Sequence, residues 1–469
     1  MVSTNSALLT NALAAEEEKL LACVHCGLCL EACPTYVATG DENDGPRGRL
    51  YLMRAVKEER LAVESPTFET HIDRCLGCRA CEAACPAGVE YGQLLEAARA
   101  DIMRARPHRG PTYSMLRFAL RHVWLKPRRL RAAFAFARFL RDFKVARVLL
   151  KTKFAREMSP QFEFALELLD SSAGYRDRSG SDRVHAVPAN HRQDGTPAGM
   201  RGRGPNAAGT VTVLLFKACV TEGLFQRVNE ATKRVLAVNG CPVQAPANQV
   251  CCGALHAHAG DLDGARTLAR KNIDAFTNSE ENRNAPIVSN AGGCGAMLVS
   301  YAHLLAGDAK YAEPARAFSA RVRDVGQQLE AIGFRNGAAI GSTRTTYDAS
   351  CHLLHGQHGA DASLKMLWAI PDLNFALLPG SDVCCGGAGV YNLMEPELSG
   401  EVLGEKLKNI GQCGAKVLAT GNAGCHMQIA AGARVGGMEL QVCHPVELLD
   451  ESYRRAGLYE ESGNQKEER

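Results

Sequence analysis

Cys23-Val-His-Cys26-Gly-Leu-Cys29-Leu-Glu-Ala-Cys33-Pro34 and Cys75-Leu-Gly-Cys78-Arg-Ala-Cys81-Glu-Ala-Ala-Cys85-Pro86 share one pattern, C-x2-C-x2-C-x3-C-P. That spacing serves iron–sulfur ligation. Three thiolates at two-residue gaps wrap one corner of a cubane, and the fourth lies too far round the turn to close the same cage. It reaches the cluster of the other run instead. The expectation is two [4Fe–4S] clusters, one on Cys23, Cys26, Cys29 and Cys85 and one on Cys33, Cys75, Cys78 and Cys81. The alternative is structural zinc, since C-x2-C pairs also bind Zn2+ tetrahedrally. Zinc modules seldom use three successive two-residue gaps followed by Cys-Pro, twice over.

The rest of the composition fits a reducing compartment. The chain has 469 residues, 19 cysteines and a formal net charge of +3. That length accommodates several domains with their own cores. The N-terminal stretch, MVSTNSALLTNALAAEEEKL, lacks a positive leader region and a twin-arginine pair. No window approaches the roughly 20 apolar residues that span a bilayer. A cytoplasmic protein is expected, with its thiols free to bind metal and with peripheral attachment to the cytoplasmic face of the inner membrane left open.

Working outward, residues 1–100 form the cluster domain. Roughly 40 residues separate its two cysteine runs, and within them Arg49–Arg60 has helical apolar spacing. This favours an α-helical ferredoxin-like domain. Residues 101–170 form a basic helical segment. Over 99–156 there are 17 lysines and arginines against two acids, Asp101 and Asp142, interleaved with Leu130, Phe134, Phe136, Phe139 and Leu140. Amphipathic helices with a basic face are expected, suited to an anionic membrane surface or an acidic partner subunit. Nucleic-acid binding is a third reading that no recognisable signature supports. Residues 171–209 are rich in Ser, Gly, Arg and Pro and read as a flexible linker.

The C-terminal half holds an internal repeat. The first copy runs from the strand-like Val211–Phe216 through Cys219 and Cys251-Cys252-Gly253 to Cys294. The second runs from Tyr347 through Cys351 and Cys384-Cys385-Gly386 to Cys425. The offset stays near 132 residues at each landmark, for instance from Cys219 to Cys351. Two small α/β cysteine-rich domains are expected, over 210–310 and 340–450, with cysteines on loops at strand ends. The fold class is therefore α+β and multidomain. Gly253 and Gly386 would let the backbone turn so that adjacent cysteines reach one centre. Each copy then offers a metal or cluster site, the first on Cys219, Cys251, Cys252 and Cys294 and the second on Cys351, Cys384, Cys385 and Cys425. The alternative is buried or redox thiols of an ordinary α/β core. Cys241, Cys413 and Cys443 have no partner pattern and read as buried structural thiols.

Histidines gather near these motifs: His256, His258, His352, His355, His358, His426 and His444. Most are expected to orient cysteines or pack rather than ligate. A helix would bring His352, His355 and His358 close together. No strand-associated G-x-G-x-x-G and no P-loop lysine is present, so neither NAD nor flavin is expected in this chain. No catalytic acid, base or nucleophile is recognisable.

The motifs Ala22–Gly27, Cys33-Pro-Thr-Tyr36, Asp44-Gly-Pro-Arg-Gly-Arg49, Arg74-Cys-Leu-Gly-Cys78 and Cys85-Pro-Ala-Gly-Val89 resemble those of the iron–sulfur subunit of bacterial glycolate oxidase. Cys351-His-Leu-Leu-His-Gly-Gln357, Cys384-Cys-Gly-Gly-Ala-Gly389 and His444-Pro-Val-Glu-Leu-Leu449 extend the resemblance over most of the chain. The repeated Cys-Cys-Gly units also resemble the cysteine-rich domain of heterodisulfide reductases and of the third subunit of anaerobic glycerol-3-phosphate dehydrogenase. That wider domain often ends in Cys-x-x-Cys; here Ala291 and Asn422 replace the first cysteine, which argues against a five-cysteine cluster and for a four-cysteine site, or an empty site in one copy. The resemblance implies a hetero-oligomer in which flavin-containing subunits oxidise glycolate to glyoxylate. This chain would then pass electrons singly towards a quinone-type acceptor. Related relays would serve lactate or glycerol-3-phosphate oxidation, or thiol/disulfide reduction. A zinc-stabilised nucleic-acid-binding protein is the distant alternative from another class.

Overall fold

A computed structural model describes residues 12–107, 109–152, 154–173 and 211–459, with the side chains of residues 154 and 156 excepted. It shows a helical N-terminal unit followed by two small parallel-sheet units, an α+β multidomain architecture. In the N-terminal unit, Pro34, Pro46 and Pro66 each occupy the first turn of a helix: Pro34–Thr39, Pro46–Lys57 and Pro66–Asp73. Proline's fixed φ suits that position, and its missing N–H leaves no helical bond unmade. Leu50, Met53, Phe68, Ile72, Leu94 and Ile102 close the core of this unit. The last helix, Tyr91–Ala105, runs through the boundary expected at residue 100.

The basic segment folds into further helices, including Pro127–Asp142, Val145–Lys151 and Pro160–Ser171. Its interleaved apolar residues are only partly buried. Leu130 is buried and Phe134 packs onto Gly223, where a Cβ would lie 2.4 Å from the ring, but Phe136, Phe139 and Phe143 are 50–69% exposed. Of the stretch read as a linker, Ser171 and Ser172 are buried at the end of the helix Pro160–Ser171, and 174–209 lies outside the described residues.

In the first repeat, strands β1 (Val213–Phe216), β2 (Val243–Gln244), β3 (Ile287–Ser289) and β4 (Val322–Asp324) form a parallel sheet in the order β2-β1-β3-β4. Strand β4 lies beyond the expected limit at 310, because the three residues Val-Arg-Asp are too short to show a period. The second repeat orders β5 (Thr345–Asp348), β6 (Val417–Thr420) and β7 (Gln441–Cys443) as β5-β6-β7. Phe375 bridges Thr345 in parallel, as Val243 pairs with Val213, 132 residues earlier at both positions. The two sheets are thus one topology used twice. Strands β1 and β5 are buried at every position, as sheets covered on both faces require.

The two units share a core. Val235 and Leu236 of one meet Leu449 and Tyr453 of the other, each buried Val or Leu contributing about 1.5–3 kcal/mol. Arg227–Glu447 (2.8 Å) and Arg234–Asp450 (2.7 Å) rim that contact. Cys241 and Cys443 are buried as expected of structural thiols. Cys413 is only half-buried, and its thiol donates to the Ile410 carbonyl at 3.2 Å.

His444 caps the helix Pro445–Arg455, its Nδ1 accepting the Val446 N–H at 3.1 Å. Burial holds its pKa down to about 3. The ring is neutral when folded but titrates near 6.5 in the unfolded chain. Below that pH the unfolded state therefore binds more protons, and stability falls as pH drops from about 6.5 towards 3. The denaturant midpoint should decline on acidification over this window, and more shallowly in His444→Asn.

Candidate metal centres

The cysteine loops of the N-terminal unit share a backbone device. Both residues flanking the middle cysteine have positive φ: His25 (54°) and Gly27 (83°) around Cys26, Gly77 (62°) and Arg79 (66°) around Cys78. Glycine takes the second place in one run and the first in the other. The non-glycine partner costs roughly 1–2 kcal/mol in each. The loops nevertheless keep this shape, which turns successive thiols inward. Cys33 then leads straight into the helix begun by Pro34.

These turns direct the eight thiols into two adjacent cavities. Cys23, Cys26, Cys29 and Cys85 line the outer one, with Cys81 on its wall; Cys33, Cys75, Cys78 and Cys81 line the inner one. Cys26 is exposed, whereas all four inner cysteines are buried. Burial, reinforced by neighbouring sulfur charge, pushes the Cys78 and Cys81 thiols well up, and burial raises Cys29. Thiolates there need a cation to hold them, and an all-sulfur donor set fits iron–sulfur cages. None of the 19 cysteines forms a disulfide.

In each repeat the cysteines collect at the carboxyl ends of the two central strands. Cys219 follows β1 and Cys294 opens the helix Gly292–Val299 after β3; Cys351 follows β5 and Cys425 opens the helix Ala423–Val435 after β6. Strand order reverses between these strands, the usual position for a ligand crevice in such sheets. The loop cysteines complete each array. The Cys219 and Cys251 sulfurs lie 3.7 Å apart, and those of Cys252 and Cys294 3.3 Å apart. Hydrogen bonds from Cys219 and Cys252 draw Cys251 well below the usual thiol range. In the second array Cys351 and Cys385 are drawn down, chiefly by hydrogen bonding from Cys384. Gly386 has φ 81°, and a Cβ there would lie 2.6 Å from the Ser399 carbonyl oxygen.

The second array has polar company that the sequence did not reveal. Lys406, fully buried, pairs with Asp348 at 2.7 Å and donates to the Gly380 carbonyl at 2.7 Å. Asn422, standing where the wider family carries cysteine, donates through Nδ2 to the Cys425 sulfur at 3.5 Å. Among the histidines, His352 places Nδ1 3.6 Å from the Cys351 sulfur. No single helix carries His352, His355 and His358 together. A single wide turn, His352–Gly356, ends before His358, whose φ is 54°. His256 is bonded to Asp261 (2.8 Å), His258 pairs with Glu96 (3.2 Å) and lies tilted against the His352 ring, and His426 packs edge-on to Phe225.

The inner cavity and the second array adjoin. Cys78 packs with Cys351, Cys384 and Tyr391 in one buried group with Leu76, Leu398 and Val402. The Tyr391 hydroxyl donates to the Arg74 carbonyl at 2.7 Å. Arg99 pins the first repeat to the same region, donating to the Cys75 carbonyl at 2.6 Å and the His258 carbonyl at 3.0 Å. The repeats meet at their cysteine ends, where the Gly292 N–H donates to the Gly421 carbonyl at 2.9 Å.

A helical two-cavity thiol unit joined to twin cysteine-rich sheets defines an iron–sulfur protein built for electron transfer. The 4Fe-4S dicluster domain family matches residues 19–89, and the cysteine-rich domain family matches 213–299 and 345–430. The chain belongs to the glycolate oxidase iron–sulfur subunit family. It is 32% identical to the probable glycolate oxidase iron–sulfur subunit of Bacillus subtilis (strain 168), over 93% of this chain and 95% of that one. It is also 32% identical to the glycolate oxidase iron–sulfur subunit of Escherichia coli (strain K12), over 95% and 97%. Lactate utilization protein A of Oceanobacillus iheyensis is 32% identical over 52% of this chain and 99% of its own.

Gly386→Ala should destabilise the second unit by roughly 1–2 kcal/mol or more, from the left-handed φ alone and before the steric clash. Thermal unfolding measures it, with Gly400→Ala, where a Cβ meets nothing within 4 Å, as the control.

Proposed function

We propose that this chain is the electron relay of a glycolate-oxidising complex. Cys23, Cys26, Cys29 and Cys85 hold one [4Fe–4S] cluster, and Cys33, Cys75, Cys78 and Cys81 hold the second. The two Cys-Cys-Gly arrays hold further metal or cluster sites. A flavin-containing partner oxidises glycolate to glyoxylate and takes both electrons, and clusters accept and release electrons one at a time. This chain's part is to fix the order of sites, keep water from the inner one and present the outer one to its partner. The observation that carries the reading is the sharing of one buried group by Cys78 of the inner cavity and Cys351 and Cys384 of the second repeat. It supports a continuous path from the N-terminal unit into the repeats.

A lactate-oxidising partner is the second reading, favoured by the likeness to lactate utilization protein A over about half of the chain. Anaerobic purification from the native source tests both. The expected result is about eight irons and eight sulfides per chain from the N-terminal unit alone, a paramagnetic signal on reduction, and a co-purifying flavoprotein active on glycolate. A colourless, iron-free protein sinks the relay, and a lactate-specific partner displaces glycolate.

The complex rests, in the same proposal, on the cytoplasmic face of the inner membrane and delivers its electrons to a quinone-type acceptor there. No helix among the described residues is long and apolar enough to cross a membrane. Exposed Phe136, Phe139 and Phe143 beside exposed Arg128, Arg129 and Arg131 suit an anionic lipid surface, each basic residue being worth about 1 kcal/mol there. Reversing Arg128, Arg129 and Arg131 to Glu should release the complex from anionic vesicles in a sedimentation assay. Undiminished sedimentation would assign the contact to another subunit.

A further inference from the structure

The two cavities differ in the charge built beside them. Arg49 lines the inner cavity and its side chain is 1% exposed. Its Nε donates to the His71 carbonyl at 2.6 Å, both terminal nitrogens donate to Thr35 Oγ1 at 3.1 Å, and one lies 3.9 Å from the Cys33 sulfur. Its counter-charge is Asp44, 0% exposed and 3.6 Å away, but Asp44 is shared with Arg74 at 3.0 Å and with the His71 ring at 2.8 Å. Asp44 thus divides its charge among three partners, of which Arg49 is the buried guanidinium that reaches the Cys33 sulfur, while Arg74 is 38% exposed. The Tyr91 hydroxyl (3.7 Å) and the Gly77 N–H (3.4 Å) also donate to the Cys75 sulfur.

The outer cavity has no such arrangement among the described residues. Its guanidinium, Arg47, is 28% exposed and is paired with Glu42 at 2.6 Å. Water and that carboxylate screen its charge. Adding an electron to a cluster adds one negative charge, and a fixed positive charge in a low-dielectric interior stabilises the reduced form. Net charge, sulfur hydrogen bonds and exposure are the protein's means of setting potential.

We propose that Arg49 sets the reduction potential of the inner cluster, raising it so that an electron arriving at the outer cluster moves inward towards Cys351 and Cys384. One electron leaves the outer cluster and enters the inner one, with no bond made and no proton moved. The role rests on the iron–sulfur ligation proposed above. Arg49 acts on the cluster without ligating it; it is a positioning residue for charge.

Redox titration of the full-length, cluster-loaded protein, followed by electron paramagnetic resonance, tests this. The outer signal is identified as the one lost in Cys26→Ser. Arg49→Gln should lower the potential of the inner signal and leave the outer one in place, while Arg49→Lys should stay near the starting protein. Asp44→Asn, close to isosteric, should shift the inner potential upwards, and it decides the matter if Arg49→Gln loses its iron. The proposal is overturned if neither variant moves the inner potential, if both move it the same way, if the shift falls on the outer signal, or if Asp44→Asn also loses the cluster. Absence of both signals from the unmutated protein would instead remove the ligation on which the role depends.

Discussion

The fold is organised by the need to bring sulfur atoms from distant parts of the chain to common points. Cys33 lies 42 residues before Cys75, yet both face one cavity, and Cys85 returns to the loop of Cys23, Cys26 and Cys29. Converging thiols in a dry interior is unfavourable by itself, because each must stay neutral or find a cation. The N-terminal unit accepts that cost together with four left-handed loop residues, two of them not glycine. Such strain persists only where the surroundings over-determine it. Here the surroundings are the proline-started helices and the core of Leu50, Met53, Phe68 and Leu94.

The repeats solve the same problem with parallel strands. A crevice opens where strand order reverses, and the sequence supplies cysteines on both sides of it and a Cys-Cys-Gly loop over it. Duplication yields two such crevices, but they are not equivalent. The second has Lys406, Asp348, Asn422 and His352 around its sulfurs and adjoins the inner cavity through Cys78. The first instead has Tyr301 and Asn272 donating to the carbonyls of Cys252 and Cys251, at 2.7 and 3.1 Å, and meets the second where Gly292 contacts Gly421. The near-constant offset of 132 residues does not suggest this difference.

Much of this was legible in the residues. The spacing of eight cysteines located the helical unit, and the repeated landmarks located both sheets and the cysteine arrays at their strand ends. What escaped was whatever depends on contacts between distant segments. Arg49 reads as the polar start of an amphipathic helix, and only its packing under Thr35 and His71 shows it to be buried. Strand β4 is too short to announce itself, and Phe375 joins the second sheet by a single bridge. The basic helices were expected to turn a basic face to a membrane or a partner, yet Arg138 and Arg141 donate to the carbonyls of Gly223 and Leu224 at 3.0 and 2.8 Å while Phe136 and Phe139 remain exposed. No periodicity rule separates an arginine that binds backbone from one that faces solvent.

The central claim is that the two N-terminal cavities hold iron. Anomalous diffraction from anaerobically grown crystals, collected on either side of the iron absorption edge, tests it directly. The account predicts two compact iron peaks, one framed by Cys23, Cys26, Cys29 and Cys85 and one by Cys33, Cys75, Cys78 and Cys81. Peaks that appear only at the zinc edge, or sulfurs bonded pairwise across those cavities, would contradict it.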